Sequence, residues 1–209
     1  MCKTLRVRWT LIPQTAPQPW ITCSGCRGLR PFRCSGKIRL NANGRRLDAW
    51  LIYKCLDCDK TWNRPVFERR NVRDIDPAVM EAMQGNDPDW IRAEAFNLEA
   101  LRHKSTRIDE FSEVEISKEI LGEAPGGTRL AIELAAPWPV DLRLDRFLAA
   151  ELKISRARLA ALHESGGIRT EPDGILRRRI RSGTVVFLDL SAGEEPMASL
   201  RSLAVGDGA

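Results

Sequence analysis

The chain has 209 residues, room for one large or two small globular units, with 43% hydrophobic residues and a formal net charge of +5. Basic side chains interrupt every apolar run in Met1-Cys2-Lys3-Thr4-Leu5-Arg6-Val7-Arg8-Trp9, which argues against a signal peptide or membrane span and makes a cytoplasmic location the expectation. The charge is blocked: sixteen basic against four acidic residues in 1–73, six against fourteen in 74–136, and eleven against ten in 137–209. A basic first block points to a polyanionic partner, and an acidic middle either repels that partner or folds back onto the basic part.

Residues 1–19 alternate apolar and basic side chains and then meet Pro13, Pro17 and Pro19. This predicts a short strand and an extended, proline-stiffened lead-in to two Cys-x-x-Cys motifs. These are Cys23-Ser24-Gly25-Cys26 and Cys55-Leu56-Asp57-Cys58. Two residues between cysteines let one tight turn aim both sulfurs at one ion, and four thiolates satisfy a tetrahedral Zn²⁺. Gly25 is read as supplying the turn's backbone freedom. Two disulfides would need an oxidising compartment, and a redox Cys-x-x-Cys usually comes as a single copy beside a βαβ pattern. The reading is one structural zinc, since four thiolates leave no open position for catalytic water. His103 and His163 are read as ordinary helix residues, and Cys2 and Cys34 as surplus thiols.

Between the pairs, Asn43-Gly44 signals a two-residue hairpin joining Lys37-Ile38-Arg39-Leu40 to Ala49-Trp50-Leu51-Ile52-Tyr53. Trp20-Ile21-Thr22-Cys23 reads as a strand entering the first turn, and Lys60-Thr61-Trp62-Asn63 as a strand leaving the second. So small a sheet buries little apolar area, and a structural zinc supplies on the order of 10 kcal/mol of folding free energy. Lys37, Arg39, Arg45 and Arg46 crowd the hairpin, as phosphate contacts or as charges that protect a sheet edge.

Residues 68–124 predict a helical, acidic connector. Asp76-Pro77 opens one helix, and Asn86 or Asp87 with Pro88 opens a longer one over 89–103. The run Asp109, Glu110, Glu113, Glu115, Glu119 and Glu123 reads as a solvated face. Pro125-Gly126-Gly127 marks the expected boundary, and Thr128-Arg129-Leu130-Ala131-Ile132-Glu133-Leu134 a strand beyond it. Residues 143–152 form an amphipathic helix, and Ser155 caps a second over 156–165 that Gly166-Gly167 ends. Strand Ile168-Arg169-Thr170, turn Glu171-Pro172-Asp173-Gly174, the basic run Arg177-Arg178-Arg179-Ile180-Arg181 and a strand over 185–190 complete the unit. Residues 191–209 read as a flexible tail in which Met197, Leu200 and Leu203 allow a weak helix.

The C-terminal succession resembles the S-four domain, the RNA-binding fold named after ribosomal small-subunit protein four. The likeness rests on Arg143-Leu144-Asp145 opening one helix, Ser155-Arg156 opening the next, the glycine stop, and Gly183 before the closing strand. The acidic turn at 171–174 departs from that family's Asn-Gly-Lys, and Gly183-Thr184 from its Gly-Asp. The resemblance implies that Arg143, Arg146, Arg156 and Arg158 face RNA phosphates, with Arg177, Arg178 and Arg179 adding charge. A helix N-terminus with an Arg fork suits that task. The combination Trp20-x-x-Cys23-x-x-Cys26 and Tyr53-x-Cys55-x-x-Cys58-x-x-x-Trp62 with a helical middle resembles the uncharacterised bacterial family DUF1062, which carries no activity with it.

The expected fold is α+β: a three-stranded zinc ribbon in 1–67, the connector in 68–124, an S-four-like α/β module in 128–190 and the tail. The expected function is non-catalytic binding of structured RNA, ribosomal or transfer RNA among the candidates. Its rivals are a protein-interaction adaptor using the ribbon and acidic helices, an enzyme acting on RNA, and a DNA-binding regulator. No small-molecule substrate is implied. The middle block offers no nucleophile, base and orienter set, and Asp74-Ile75-Asp76 alone is too common a pattern to make an enzyme.

Overall fold

The computed structural model describes residues 4–122, 128–189 and 197–206, and their side chains except those of Met197 and Ala198. The first elements are β1 (Thr4–Pro13), β2 (Gln18–Cys23), β3 (Gly28–Asn43), β4 (Arg46–Cys55) and β5 (Thr61–Asn71), then helices α1 (Pro77–Gly85), α2 (Pro88–Ala95) and α3 (Leu98–Arg102). There follow β6 (Ile108–Asp109), β7 (Val114–Gly122), β8 (Arg129–Ala135), α4 (Leu144–Glu151), α5 (Arg156–Glu164), β9 (Ile168–Glu171), β10 (Thr184–Asp189) and α6 (Met197–Val205). The class is α+β. These elements form two compact units, residues 15–111 and residues 1–14 with 112–209, a division that differs from the expected segments.

The unit of residues 15–111 is a five-stranded sheet in the order β5-β4-β3-β2-β6. The expected hairpin forms one residue further along than the type I′ reading of Asn43-Gly44: Asn43 pairs with Arg46, so the two-residue loop is Gly44-Arg45, with Gly44 alone of the two at positive φ, +60°. Strand β4 alternates, burying Leu47, Ala49, Leu51, Tyr53 and Cys55 on one face. Those residues pack with Phe32, Met83, Ile91, Ala95 and Leu101 in two apolar clusters. Asp76, Asp87 and Asn97 cap the three helices through their side-chain oxygens. The helix expected over 89–103 is therefore two: Asn97 accepts from the N–H of Ala100 at 3.1 Å and restarts the chain after Phe96. The sheet exceeds the expected three strands because β2 pairs with both β3 and β6.

The other unit is a sheet in the order β7-β1-β8-β10-β9. Strand β1 is the short strand expected near the start, but it belongs to this sheet and not to the 1–67 segment with the cysteine turns. It lies between β7, antiparallel, and β8, parallel. Its alternation buries Leu5, Val7, Trp9 and Leu11 against Leu144, Phe147 and Leu148 of α4 in one core cluster, each such side chain contributing about 1.5–3 kcal/mol on burial. The run 114–122 is an edge strand and not part of a helical connector. Its Glu115 and Glu119 stay on the exposed face, and Val114, Ile116 and Ile120 pack toward the core. Glu123 and Pro125-Gly126-Gly127 fall outside the described residues, as does Cys2. Helix α6 is docked: the Trp9 indole N–H donates to the Ala204 carbonyl at 2.7 Å, Lys118 Nζ donates to that of Leu203 at 2.9 Å, and Leu200 and Ala204 are buried.

Candidate metal centre and basic helix starts

Cys23 ends β2, Cys55 ends β4, and Cys26 and Cys58 lie in the turns that follow. The two turns share a backbone device: the residue after each second cysteine, Arg27 and Asp59, sits at φ +53° and +57°. In the second turn the Asp59 N–H donates to the Cys55 carbonyl at 3.0 Å, and the Cys55 N–H to that of Lys60 at 2.9 Å. Gly25 is not in the left-handed region. Its need is space: a Cβ there would stand 3.0 Å from the Cys58 sulfur, so the expected reason for this glycine is replaced by close approach of a ligand atom. Ion pairs Arg30–Asp57 at 2.6 Å and Arg33–Asp59 at 3.6 Å tie β3 to the second turn.

All four sulfurs lie within 4.8 Å of one another, Cys23 and Cys58 at 3.4 Å and Cys26 and Cys55 at 3.9 Å. Sulfurs bound to one tetrahedral ion at about 2.3 Å stand about 3.8 Å apart, so the donor set fits a single metal ion, and the thiols are not joined as disulfides. The N–H of Cys26 donates to the Cys23 sulfur and holds that thiol down at about 7. Contact with the Cys58 sulfur, then burial, pushes Cys26 up to about 12. Cys58 is pulled down by the Lys60 backbone, yet it lies above its ordinary value overall because Cys23, burial and Cys55 raise it. Below the tetrad, the Trp62 ring meets Phe32 edge-on at 6.3 Å and Tyr53 at 5.3 Å.

Sequence reasoning missed a buried polar row under α2. Arg64 is only 1% exposed and donates from Nη2 to the Glu94 carboxylate at 2.7 Å and carbonyl at 3.1 Å. Its Nε and Nη1 and the Tyr53 hydroxyl are buried without a hydrogen-bond partner. Burial raises the Tyr53 phenol well above its ordinary value, and that of Cys34, opposite Tyr53 across the ladder, in the same direction. An arginine between Asn63 and Pro65 carries no sequence sign of burial; only its β5 register opposite Leu51 places it inside.

Lys37, Arg39, Arg45 and Arg46 on the β3–β4 hairpin are exposed, with the Arg39 guanidinium 6.0 Å from the Trp50 ring centre. His103 caps the C-terminus of α3, and His163 Nδ1 lies 3.1 Å from the Ile168 carbonyl.

In the other unit Ser155 caps α5 by accepting from the Arg158 N–H at 3.1 Å. Asp145, missed as a hub, gathers two of the predicted arginines: Arg143 donates to it twice, at 3.0 and 2.8 Å, and Arg156 stands 3.8 Å away. Arg146 is exposed and Arg158 half-buried. The run 177–181 passes along the start of α4, where the Leu144 and Asp145 N–H groups donate to the Arg178 and Leu176 carbonyls and the Arg143 backbone pairs with that of Arg179 in a single antiparallel bridge. Arg177, Arg178 and Arg179 are exposed, and Arg179 pairs with Asp141 at 2.9 Å. Hence these carbonyls, not a ligand, satisfy two of the orphan donors at the α4 N-terminus, which leaves side-chain charge as what this corner offers.

Among the described residues no helix is long and apolar enough to cross a membrane. A family model described as "Protein of unknown function (DUF1062)" matches residues 40–173. Among curated proteins and among solved structures, none matches the chain.

Proposed function

The chain belongs to the DUF1062 family, and we propose that it is a non-catalytic, zinc-ribbon protein that binds structured RNA. The zinc would be held by Cys23, Cys26, Cys55 and Cys58, whose sulfur spacing supports a single ion. Bound there, it supplies cross-linking and no open coordination position.

The RNA reading is supported by one observation: two helix starts and a basic run lie in one unit, which carries Arg143, Arg146, Arg156, Arg158 and Arg177 to Arg179. Guanidinium groups on a rigid helix corner grip phosphates and read shape more than sequence. Asp145 holds Arg143 in place and neutralises part of its charge, so Arg146 and Arg158 supply the charge that Asp145 leaves unpaired. The test is a double change, Arg156→Ala with Arg158→Ala, followed by RNA-hairpin binding across a salt series. Affinity should fall, and the slope of log affinity against log salt should flatten by about 0.7–0.9 for each phosphate no longer neutralised. Unchanged affinity and slope in a protein that unfolds at the wild-type temperature would remove the arginine corner from the function.

A second reading, a protein-interaction adaptor, is favoured by Leu29 and Leu56, which stand 45% and 42% exposed beside the cysteine turns. Loss of a protein partner with RNA binding intact in a Leu29→Ser, Leu56→Ser protein would favour it.

A further inference from the structure

Beside the arginine corner lies a recess of about 540 Å³, lined among others by Pro172, Ile175, Arg178, Arg179, Arg181 and Gly183. That volume is in the range of small-ligand sites, about 300–1,000 Å³. Its scaffold is held by main-chain hydrogen bonds: Arg178 N–H to the Ile175 carbonyl at 2.8 Å, Ile180 N–H to that of Leu142 at 2.9 Å, and Thr184 N–H to that of Arg181 at 3.2 Å. Buried Leu176 and Ile180 anchor the same segment in the core.

The side chains are less committed. Arg179 is steadied by Asp141, but among the described residues neither Arg178 nor Arg181 has an ion-pair partner. Asp141 offsets Arg179, which leaves Arg178 and Arg181 as the uncompensated charge of the recess, and none of its lining residues is a carboxylate. Such a rim selects an anion, and the planar fork of arginine matches phosphate oxygens in pairs. The lining is not polar throughout: Pro172 and Ile175 offer an apolar surface, on which a flat ring rests, and guanidinium planes stack on bases. At Gly183, φ +82°, nothing stands within 4 Å of where a Cβ would be, so a ligand can approach the backbone there.

We propose that this recess takes a nucleoside 5′-phosphate unit, its phosphate on Arg178 and Arg181 and its base over Pro172 and Ile175. The unit comes either from a free nucleotide or from an unpaired nucleotide of a bound RNA; the second source rests on the RNA reading above. Two arms separate them. In the first, amide spectra of the full chain are followed while AMP, or inorganic phosphate, is added. AMP should move the Gly183 and Thr184 amides, phosphate should move them less, and Arg181→Glu should abolish both effects. In the second, a hairpin with one bulged nucleotide is compared with the same hairpin without it. The bulged form should bind about tenfold more tightly, and Arg181→Glu should bring that ratio to one.

An AMP response without any hairpin binding assigns the recess to free nucleotides and removes the RNA reading. A bulge preference lost in the variant assigns it to RNA. Hairpin binding with neither a bulge preference nor an AMP response overturns the recess alone, and equal responses to AMP and phosphate overturn the nucleoside half of the proposal. No response in either arm overturns both readings.

Discussion

Removing the Glu94 carboxylate, by Glu94→Ala, should destabilise the cysteine-bearing unit far more than an ordinary half-exposed substitution. Arg64 is 1% exposed and its one ion pair among the described residues is to Glu94, at 2.7 Å, whose side chain is 24% exposed. Two unit charges about 4 Å apart attract by about 4 kcal/mol at an effective dielectric of about 20. Leaving one partner of a buried pair uncompensated costs about 3–5 kcal/mol. Water reaches part of the Glu94 side chain, so the lower end, about 3 kcal/mol, is the expected loss. With a urea m-value of about 2 kcal/mol/M, the unfolding midpoint should drop by about 1.5 M. The assay is tryptophan fluorescence in urea, to which Trp20, Trp50, Trp62 and Trp90 contribute from this unit. Glu94→Gln, which keeps an acceptor without the charge, should fall between. The double change Arg64→Met with Glu94→Leu should recover most of the loss, because the penalty belongs to the stranded charge and not to the fold. A midpoint drop under about 0.5 M for Glu94→Ala, or a double variant as weak as the single one, would refute this reasoning.

Zinc uptake at neutral pH should release at least two protons per chain, since Cys26 at about 12 and Cys58 above its ordinary value both hold protons before the metal arrives; binding heats compared in buffers of different ionisation enthalpy count them, and a release below one contradicts the thiol assignments. Gly25→Ala would set a methyl 3.0 Å from the Cys58 sulfur and should weaken zinc binding by about tenfold or more in competition with a chromophoric chelator; affinity within about twofold of wild type would show that the turn relaxes freely. Tyr53→Phe should be neutral or stabilising by about 1 kcal/mol, because the hydroxyl is buried without a partner. The same variant tests a pH effect. The phenol's folded-state pKa is raised by burial, so the wild-type contribution is intact below about pH 10 and is lost as pH rises above it, where unfolded tyrosine ionises and folded Tyr53 does not. Tyr53 is the chain's only tyrosine, so this alkaline loss should be smaller in the Phe variant; equal loss in both proteins would exclude the phenol as its source.

Local signals in the sequence carried the local structure. The presence of the β3–β4 hairpin, the caps at Asp76, Asp87 and Ser155, the stop at Gly166 and the meeting of four cysteines all depend on a few neighbouring residues, or on a donor set whose chemistry has one common use. Asn97 shows the limit even here: one capping side chain splits a helix that apolar spacing alone runs through. Pairing between distant segments left no such mark. Nothing in Leu5-Arg6-Val7-Arg8-Trp9 says that its partners are β8, in parallel, and β7, because alternation specifies which face is buried and not which strand lies alongside. Glu115 and Glu119, from a run with the charge of a solvated face, lie on a sheet edge because 114–122 pairs with β1. Arg64 inside, Asp145 holding Arg143 beside Arg156, and the arginine-rimmed recess were likewise decided by tertiary structure: a charged side chain's burial and partners depend on what is packed over it, and that is set by residues far away in the chain.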